Sequence, residues 1–216
     1  MFQRLKANLP GNWHLITEPE ALVPEKLAAI APRFIFFPHW SWVVPRDVLE
    51  RWECVCFHMT DVPYGRGGSP LQNLIVRGHT HTKVTALRMV EALDAGPVYG
   101  KIELSLEGAA GVIYERLSEK IYELIDSLIQ EEPASEPQRG EPTVFERRTP
   151  EQSQLPESGG LRELYDHIRM LDAETYPKGF LQYGEYRLEF TGAEIGGNET
   201  LTANVRIVRQ TDANDK

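Results

Sequence analysis

Helical and strand-like segments alternate along the first 130 residues, and this alternation is the feature that most constrains the fold. Two short apolar runs, residues 33–37 and 53–58, are typical of strands buried on both faces of a parallel sheet. Start and stop signals predict helices at residues 24–30, at 45–52, and from Pro70, with Ser69 as N-cap, to Gly78. We therefore predict an α/β fold with a mostly parallel sheet.

The rest of the chain extends this pattern. Further predicted elements are strands at 13–16, 83–90 and 98–104, a long amphipathic helix through 113–129, a helix at 161–171, and a strand pair at 186–190 and 204–208. Residues 131–157 contain five prolines and little hydrophobic periodicity, which is typical of a linker or an ordered arm. We expect a main domain over residues 1–130, a linker arm over 131–157 and a small module over 158–216, with a frayed tail from residue 211.

The chain is acidic, which limits the partners that it can bind. Its 216 residues include 23 basic and 32 acidic side chains, a net charge of −9. Because binding along phosphate backbones requires many basic contacts, this charge argues against a nucleic-acid-binding protein. The sequence contains no run of eighteen apolar residues and no signal-peptide pattern at its start. We expect a soluble, cytoplasmic protein that binds neither nucleic acid nor membrane.

Three weak signals together mark a candidate site. His58 ends a predicted strand, a glycine-rich loop at residues 64–70 leads into a helix, and Asp94 begins an Asp-Ala-Gly turn. Ligands of open parallel sheets bind beyond the carboxyl ends of the strands, where His58 and the loop are expected. Each signal also has a structural explanation, as a hydrogen-bonded histidine, a common turn before a helix, or a tight turn. The loop lacks the spacing of a phosphate-binding or dinucleotide-binding fingerprint.

The cysteine pair and a histidine pair say less about function. Cys54 and Cys56 are separated by one residue, so they lie on one face of a strand and are poorly placed for a disulfide. We interpret both first as small buried apolar residues. His79 and His81 form a His-x-His pair without a completing carboxylate or cysteine, so we expect a solvated turn and no metal.

The order and spacing of these signals resemble the folate-dependent formyltransferase family. The usual pattern of that family runs Asn-x-His-Pro-Ser-x-x-Pro-x-x-x-Gly, then a helix, a Gly-x-Thr strand and an Asp-x-Gly turn. The corresponding segments here are 57–72, Gly78, 84–89 and 93–98, and the 36 residues from His58 to Asp94 match the family spacing. The resemblance covers residues 30–130 and extends to 164–177, which look like the C-terminal module of the family.

This resemblance implies a Rossmann-like sheet, shortened at its N-terminus, with a small α+β C-terminal module. It also implies N10-formyltetrahydrofolate as co-substrate, a primary amine as acceptor and no metal. His58 would donate to the oxyanion or carry the proton, Asp94 would be its carboxylate partner, and Thr60 matches the serine of the family.

One catalytic position departs from the family. Cys56 stands where the family has asparagine, and a thiol is a weak donor that cannot replace an amide. We do not expect Cys56 to act as a nucleophile, because no neighbour in sequence would lower its pKa and formyl transfer needs no acyl-enzyme. Fewer residues precede Cys56 than in the family, so we expect the first strand and its glycine-rich turn to be absent or rebuilt.

The resemblance places the pteridine ring of the folate near an aromatic segment. This segment includes Trp40, Trp42, Val43 and Val44, which we predict to bind the cofactor together with Asp94. Its aromatic side chains would suit a flat heterocycle, but Trp40 and Trp42 could equally pack against the edge of the domain.

Two acceptor amines fit the resemblance, an activated amino sugar and methionyl-tRNA. The acidic composition favours the amino sugar: residues 131–157 contain seven acidic and three basic residues, and residues 158–216 contain ten and seven. The segment around Trp40 and the sequence after His58 also look most like the amino-sugar branch, which includes enzymes for UDP-linked 4-amino-4,6-dideoxy sugars related to pseudaminic acid. The predicted sugar-nucleotide contacts are Tyr64, Arg66, Gly67, Gly68, Ser69, Gln72 and Arg88.

Other interpretations remain open at this stage. A diverged relative could bind folate or a sugar nucleotide without turnover, a methionyl-tRNA enzyme could carry an unusual charge, and a hydrolase could transfer the formyl group to water. An exposed strand edge would also allow a homodimer.

Overall fold

A computed structural model of the chain describes residues 2–174 and 176–210. In chain order its helices and strands are α1 (Phe2–Asn8), α2 (Pro24–Ile30), β1 (Ile35–Phe37), α3 (Arg46–Arg51), β2 (Cys54–His58), β3 (Arg66–Gly67), α4 (Pro70–Val76), β4 (His81–Arg88), β5 (Val98–Ser105), α5 (Ala110–Glu131), β6 (Val144–Phe145), α6 (Leu161–Arg169), β7 (Gly179–Tyr183), β8 (Tyr186–Gly196) and β9 (Thr200–Arg209). Short 3-10 turns lie at Pro19–Ala21 and Pro150–Ser153. The expected frayed tail lies outside the described residues.

The chain forms two compact units that interleave along the sequence. The first unit consists of Met1–Gly67, Thr82–Leu104 and Arg116–Phe145, and the second of Gly68–His81, Ser105–Glu115 and Glu146–Lys216. These bounds differ from the three parts expected from composition, because spatial proximity assigns the first half of the arm to one unit and the second half to the other. The expected division into domains stays a prediction.

The larger sheet has four strands in the order β1-β2-β4-β5 and confirms the α/β class. β1 pairs parallel with β2, with Phe37 opposite Cys56. β2 pairs antiparallel with β4, with His58 opposite Thr85, so the sheet is mixed. Four of the five β2 residues are buried, as expected for a strand covered on both faces. A strand in a mixed sheet can be buried on both faces just as a strand in a parallel sheet can. The apolar pattern of β2 therefore could not show whether its neighbours run parallel or antiparallel to it.

A buried core packs around β1 and β2. Its buried members are Leu22, Leu27, Phe37, Val44, Val48 and Cys54, which come from α2, β1, α3, β2 and the segments beside them. Burying side chains of this size stabilises the fold by roughly 1.5–3 kcal/mol each. The core therefore fixes the strand whose carboxyl end carries His58.

The first half of the expected arm is ordered and pairs with the glycine-rich loop. Glu136 exchanges backbone hydrogen bonds with Val98, N to O distances 2.7 and 2.8 Å, and the Thr143 carbonyl accepts from the amides of Gly65 and Arg66. β6 then pairs parallel with β3, with Phe145 opposite Gly67. The interpretation of residues 131–157 as an ordered arm is thus the one that the structure supports over this part.

The second unit contains α4, α6 and an antiparallel sheet in the order β7-β8-β9. The expected strand pair is confirmed and longer than predicted, and β7 was missed. The missed signal is the two-residue turn Gly184-Glu185, with Gly184 at φ +55°, between the paired residues Tyr183 and Tyr186. A helix followed by this sheet fits the small α+β module that the resemblance implied.

Two local predictions were wrong, and one helix was missed. Residues 13–16 form no strand, and Trp13 stacks on Phe36 at a ring distance of 6.2 Å instead of joining a sheet. The helix α1 was not predicted, because its seven residues carry no capping signal. Ser69 does not cap α4 with its side chain: its backbone is left-handed, φ +47°, and its Oγ accepts a hydrogen bond from the Arg148 amide at 3.0 Å.

Among the described residues, no helix is long and apolar enough to cross a membrane.

Candidate active site

His58 and Asp94 come together in the first unit, as the resemblance led us to expect. The Nδ1 atom of His58 lies 3.5 Å from Oδ2 of Asp94, and the two side chains are only 10% and 12% exposed. His58 is the last residue of β2, and Asp94 lies in the loop between β4 and β5. Because these strands neighbour one another in the sheet, 36 residues of sequence separation become a direct side-chain contact.

The other ring nitrogen of His58 fixes the tautomer. Nε2 lies 2.7 Å from the carbonyl oxygen of Gly65, which can only accept, so Nε2 carries a proton. The hydroxyl of Thr60 donates to the same oxygen at 3.2 Å. With Nε2 engaged by the loop, Nδ1 is the nitrogen that faces the Asp94 carboxylate.

Asp94 is held by the glycine-rich loop and by its own strained turn. Its Oδ2 atom accepts a hydrogen bond from the Gly67 amide at 2.9 Å. Its backbone is left-handed, φ +49°, a conformation that aspartate tolerates better than most residues. A β-carbon on Gly96 would lie 1.7 Å from the Arg88 carbonyl oxygen, so only glycine allows the turn to approach β4 so closely.

Gly67 is required by the pairing of β3 with β6. Its φ is +105°, and a β-carbon there would lie 2.4 Å from the Phe145 carbonyl oxygen. The ring of Phe145 packs edge-on against Tyr64, with centroids 5.4 Å apart. The predicted substrate contact Tyr64 therefore has a structural role in holding the loop to the arm.

Cys56 keeps its proton. Burial raises the pKa of the Cys56 thiol to about 12, and the nearby Asp94 carboxylate contributes to the shift. The thiolate is the nucleophilic form of cysteine, so this environment opposes covalent catalysis. Cys54 is buried beside the Val48 carbonyl oxygen, and burial raises its pKa in the same way.

Two arginines predicted to bind substrate lie in the first unit. Arg66 donates from Nε and Nη2 to Oε1 of Gln138, at 3.1 and 2.7 Å. Arg88 pairs with Glu53 at 3.3 Å, and the hydroxyl of Tyr99 donates to the same carboxylate. Both guanidinium groups are thus oriented by neutral or acidic partners.

A cavity of about 530 Å³ in the first unit lies next to the Asp94 turn in sequence. It is lined by Arg46, Leu49, Glu50, Arg88, Met89, Val90, Glu91, Ala92 and Pro97. A largely apolar lining with a few charged groups is typical of sites for small organic ligands. Sequence reasoning included only Arg88 of these residues.

The aromatic segment predicted to bind the cofactor lies elsewhere. Trp40 packs edge-on against Phe37 and Trp42, at 5.6 and 4.9 Å, and Val44 is buried in the core. Trp42 and Val43 are exposed, and none of the four lines the 530 Å³ cavity. Packing against the domain edge, the alternative weighed above, describes Trp40 and Val44, and a cofactor contact by Trp42 or Val43 stays a prediction.

The remaining predicted contacts fall in the second unit and are largely structural. Gln72 is 1% exposed and donates to the Met170 carbonyl oxygen at 3.0 Å, so it is not available to a ligand. A β-carbon on Gly68 would meet Arg147 at 2.6 Å, and Ser69 Oγ also lies 3.4 Å from the Tyr176 hydroxyl. Among the described residues, no three His, Cys, Asp or Glu side chains are grouped to hold a metal ion.

Gln138 is the site residue that sequence reasoning missed. Its Nε2 atom donates to the carbonyl oxygens of Asp94 and Gly96, each at 2.8 Å. It lies 44 residues after Asp94 in a proline-rich arm, so no spacing pattern pointed to it. Only the pairing of the arm with the loop brings it to the site.

Comparisons with known proteins identify relatives of this chain. The family model described as "Methionyl-tRNA formyltransferase, C-terminal domain" matches residues 150–208. The solved structure of methionyl-tRNA formyltransferase from Clostridium thermocellum is 44% identical, with a TM-score of 0.92, and the match covers 96% of this chain and 92% of that chain.

Other relatives are more distant or longer. Methionyl-tRNA formyltransferase from Bacillus thuringiensis (strain Al Hakam) is 31% identical over 159 residues, which cover 68% of this chain and 50% of the relative. The chain thus spans half or less of the curated relatives at the top of the comparison. A likely sugar N-formyltransferase from Mycobacterium tuberculosis is 21% identical, with a TM-score of 0.61 over 74% of this chain and 73% of that one.

The similarity to the sugar enzyme indicates the fold alone, so it does not support the expected sugar-nucleotide substrate. The similarity to the Clostridium thermocellum protein extends over nearly the whole of both chains. On this similarity, and on the paired His58 and Asp94 at the expected spacing, the chain belongs to the formyltransferase family.

Proposed function

We propose that this chain transfers the formyl group of N10-formyltetrahydrofolate to the amine of methionyl-tRNA. The observation that carries the formyl-transfer part is the contact between His58 Nδ1 and the Asp94 carboxylate at 3.5 Å, in a site of low solvent exposure. The relatives at 31% and 44% identity, both named methionyl-tRNA formyltransferases, favour this acceptor.

The reaction needs one proton carrier and stabilisation of one oxyanion. The acceptor amine attacks the formyl carbon, a C–N bond forms, and the carbonyl electron pair moves to oxygen. The attacking nitrogen then loses a proton, the carbonyl re-forms, and the bond from carbon to N10 breaks. N10 gains a proton and tetrahydrofolate leaves, so the products are the formamide and tetrahydrofolate.

The His58–Asp94 pair is suited to carry the proton. Nε2 is engaged with the Gly65 carbonyl oxygen, so a proton leaving the amine would be accepted on the Nδ1 side, where the ring faces the Asp94 carboxylate. A histidine and a carboxylate in contact can accept a proton from the amine and return it to N10. The thiol of Cys56, protonated and on the same face of β2, is a weak donor to the oxyanion.

The folate has a candidate cavity in the same unit. The 530 Å³ cavity is lined by Leu49, Met89 and Val90, which offer apolar contact to a flat heterocycle. Its lining residues 88–92 immediately precede the Asp94 turn. A folate bound there would contact the segment that leads into the Asp94 turn.

A nucleotide-linked amino sugar is the second candidate acceptor. The net charge of −9 favours it, because a sugar pyrophosphate needs only one or two cations, whereas transfer RNA requires an extended basic surface. Arg66 and Arg88 would supply those cations. Identity to named relatives favours methionyl-tRNA and charge favours the sugar, so the acceptor is the part of the proposal that needs a direct test.

The test is a mass-resolved formylation assay. The protein is incubated with N10-formyltetrahydrofolate and, separately, methionyl-tRNA or a panel of UDP-, dTDP- and CMP-linked amino sugars. We expect formyl-methionyl-tRNA, with a rate lower by about 10²–10⁴-fold in Asp94→Asn, because that variant loses the proton-accepting carboxylate.

Three results would contradict the proposal in different ways. Formylation of a sugar with none of methionyl-tRNA would replace the acceptor. Consumption of the folate without any formylated amine would indicate a hydrolase, and folate binding without turnover would indicate a binding protein.

A further inference from the structure

We infer that Gln138 is a positioning residue that holds the Asp94 turn and Arg66 in register for catalysis. This inference rests on the proposed formyl-transfer function. It goes beyond that function because it assigns a role in the reaction to the proline-rich arm.

The contacts of Gln138 determine the orientation of its amide. Oε1 receives two N–H groups of Arg66, at 3.1 and 2.7 Å, and arginine can only donate. Nε2 gives its hydrogens to two carbonyl oxygens, those of Asp94 and Gly96, each at 2.8 Å, and carbonyls can only accept. A flipped amide would place its NH₂ group against the Arg66 donors and its oxygen against the two carbonyl oxygens. All four hydrogen bonds therefore depend on this one orientation.

These hydrogen bonds act on the part of the site that is under strain. Asp94 has a left-handed backbone, φ +49°, and Gly96 approaches β4 so closely that no β-carbon fits. Such conformations persist when the surroundings over-determine them. Gln138 satisfies a carbonyl at each end of this turn, and it thereby limits where the Asp94 carboxylate can lie relative to His58.

The same side chain links the turn to the loop that carries Arg66. The Gly67 amide donates to Asp94 Oδ2 at 2.9 Å, one residue after Arg66. Gln138 therefore closes a ring of contacts from Asp94 through Gly67 and Arg66 back to the Asp94 carbonyl. A displacement near 1 Å in such a site can lower the rate by about 10²-fold.

Two substitutions separate the two ends of the amide. Gln138→Glu keeps an acceptor for Arg66 but cannot donate to the Asp94 and Gly96 carbonyls. Arg66→Met leaves the donors to the turn in place and removes the partner of Oε1. Gln138→Met, similar in length, loses both sets of hydrogen bonds, and Gln130→Met is the matched control, because Gln130 is exposed and its amide reaches only Asp126 at 3.5 Å.

We expect kcat for formyl transfer to fall by about 10–10²-fold in Gln138→Glu and Gln138→Met. The KM of the acceptor should change less than about threefold in Gln138→Glu, which keeps an acceptor for Arg66, and should rise in Gln138→Met, which does not. In Arg66→Met the KM should rise while kcat stays within about threefold of the wild type. Gln130→Met should match the wild type in both. Rates are expressed per folded molecule, with the folded fraction measured by thermal unfolding, so that a loss of fold is not counted as a loss of positioning.

A second measurement does not depend on activity. Hydrogen exchange of the Gly67 amide reports its bond to the Asp94 carboxylate, and we expect exchange to be faster in both Gln138 variants and unchanged in Gln130→Met.

The outcomes separate the inference from the proposed function. If the wild type formylates no amine, the proposed function fails, and unchanged Gly67 exchange in Gln138→Met would also overturn the positioning role. If the wild type is active and both Gln138 variants keep kcat per folded molecule within twofold, the inference is wrong and the proposed function stands. A fall in kcat with faster Gly67 exchange supports both.

Discussion

Cys56 and His58 lie two residues apart on β2, and their side chains therefore share one face of the strand. His58 contacts Asp94, and the Cys56 thiol is close enough for the Asp94 carboxylate to contribute to its raised pKa. The resemblance places an asparagine amide at this position, which donates strong hydrogen bonds. Under the proposed function, the site would pair a family-like proton carrier with a weak oxyanion donor.

Substitution of Cys56 by asparagine should raise the rate of formyl transfer. Because a positioned oxyanion donor is worth about 10²–10³-fold in rate where one has been removed, Cys56→Asn should increase kcat by up to about 10²-fold. Single-turnover formylation measures this step directly. Cys56→Ser, close in size to the thiol, is the control for shape and should give a smaller gain. A rate unchanged in a well-folded Cys56→Asn would mean that another group holds the oxyanion.

Site residues differed in how far the sequence could predict them. The contact between His58 and Asp94 was anticipated because the order and spacing of motifs resemble a known family. The structure does not support a ligand contact by Gln72, because its side chain is buried within the second unit and donates to the Met170 carbonyl oxygen. Gln138 was not found at all, since its role depends on a strand pairing that no local pattern announces. The sequence spacing of motifs predicts side chains on or beside neighbouring strands better than side chains from an arm that is distant in sequence.

The arm and the glycine-rich loop stabilise one another at the scale of elements. Hydrogen bonds from Gly65 and Arg66 to Thr143 precede the pairing of β3 with β6. Composition alone indicated a linker or an arm, because prolines and poor periodicity occur in both. Strong helix signals, such as the stripe of α5, were predicted well. The short helix α1 and the strand β7 were missed because short elements take their stability from tertiary contacts.

The lack of space for a β-carbon at Gly67 can be tested separately from the backbone angle of that residue. Gly67 and Gly11 both have φ +105°, but a β-carbon at Gly11 has nothing within 4 Å, whereas at Gly67 it meets the Phe145 carbonyl oxygen at 2.4 Å. Gly11→Ala should cost about 1 kcal/mol of unfolding free energy from backbone strain. Gly67→Ala should cost about 1–3 kcal/mol more, because the loop must separate from β6.

Urea denaturation of the two variants measures this difference. Formyl transfer per folded molecule should fall in Gly67→Ala alone, because the Gly67 amide that holds the Asp94 carboxylate would move with the loop. An equal loss of unfolding free energy in the two variants would show that β6 moves enough to make room for the β-carbon at residue 67.

At the scale of the whole molecule, charge and similarity disagree about the acceptor. The relatives named for methionyl-tRNA favour an RNA substrate, and the net charge of −9 opposes an extended contact with its phosphates. An RNA substrate is compatible with the acidic charge if the chain contacts only the aminoacylated end of methionyl-tRNA. Arg66 and Arg88 would then make the two principal phosphate contacts.

The salt dependence of methionyl-tRNA formylation tests this reconciliation. Each phosphate neutralised contributes about −0.9 to the slope of log affinity against log salt, so two contacts predict a slope near −2. A fourfold rise in KCl should then raise the KM for methionyl-tRNA by about tenfold, with kcat nearly unchanged. The KM for N10-formyltetrahydrofolate, followed in the same titration, controls for effects of salt on the catalytic residues. A slope steeper than about −5 would require more basic contacts than this acidic chain is expected to make, and it would show that a concentrated basic surface outweighs the net charge.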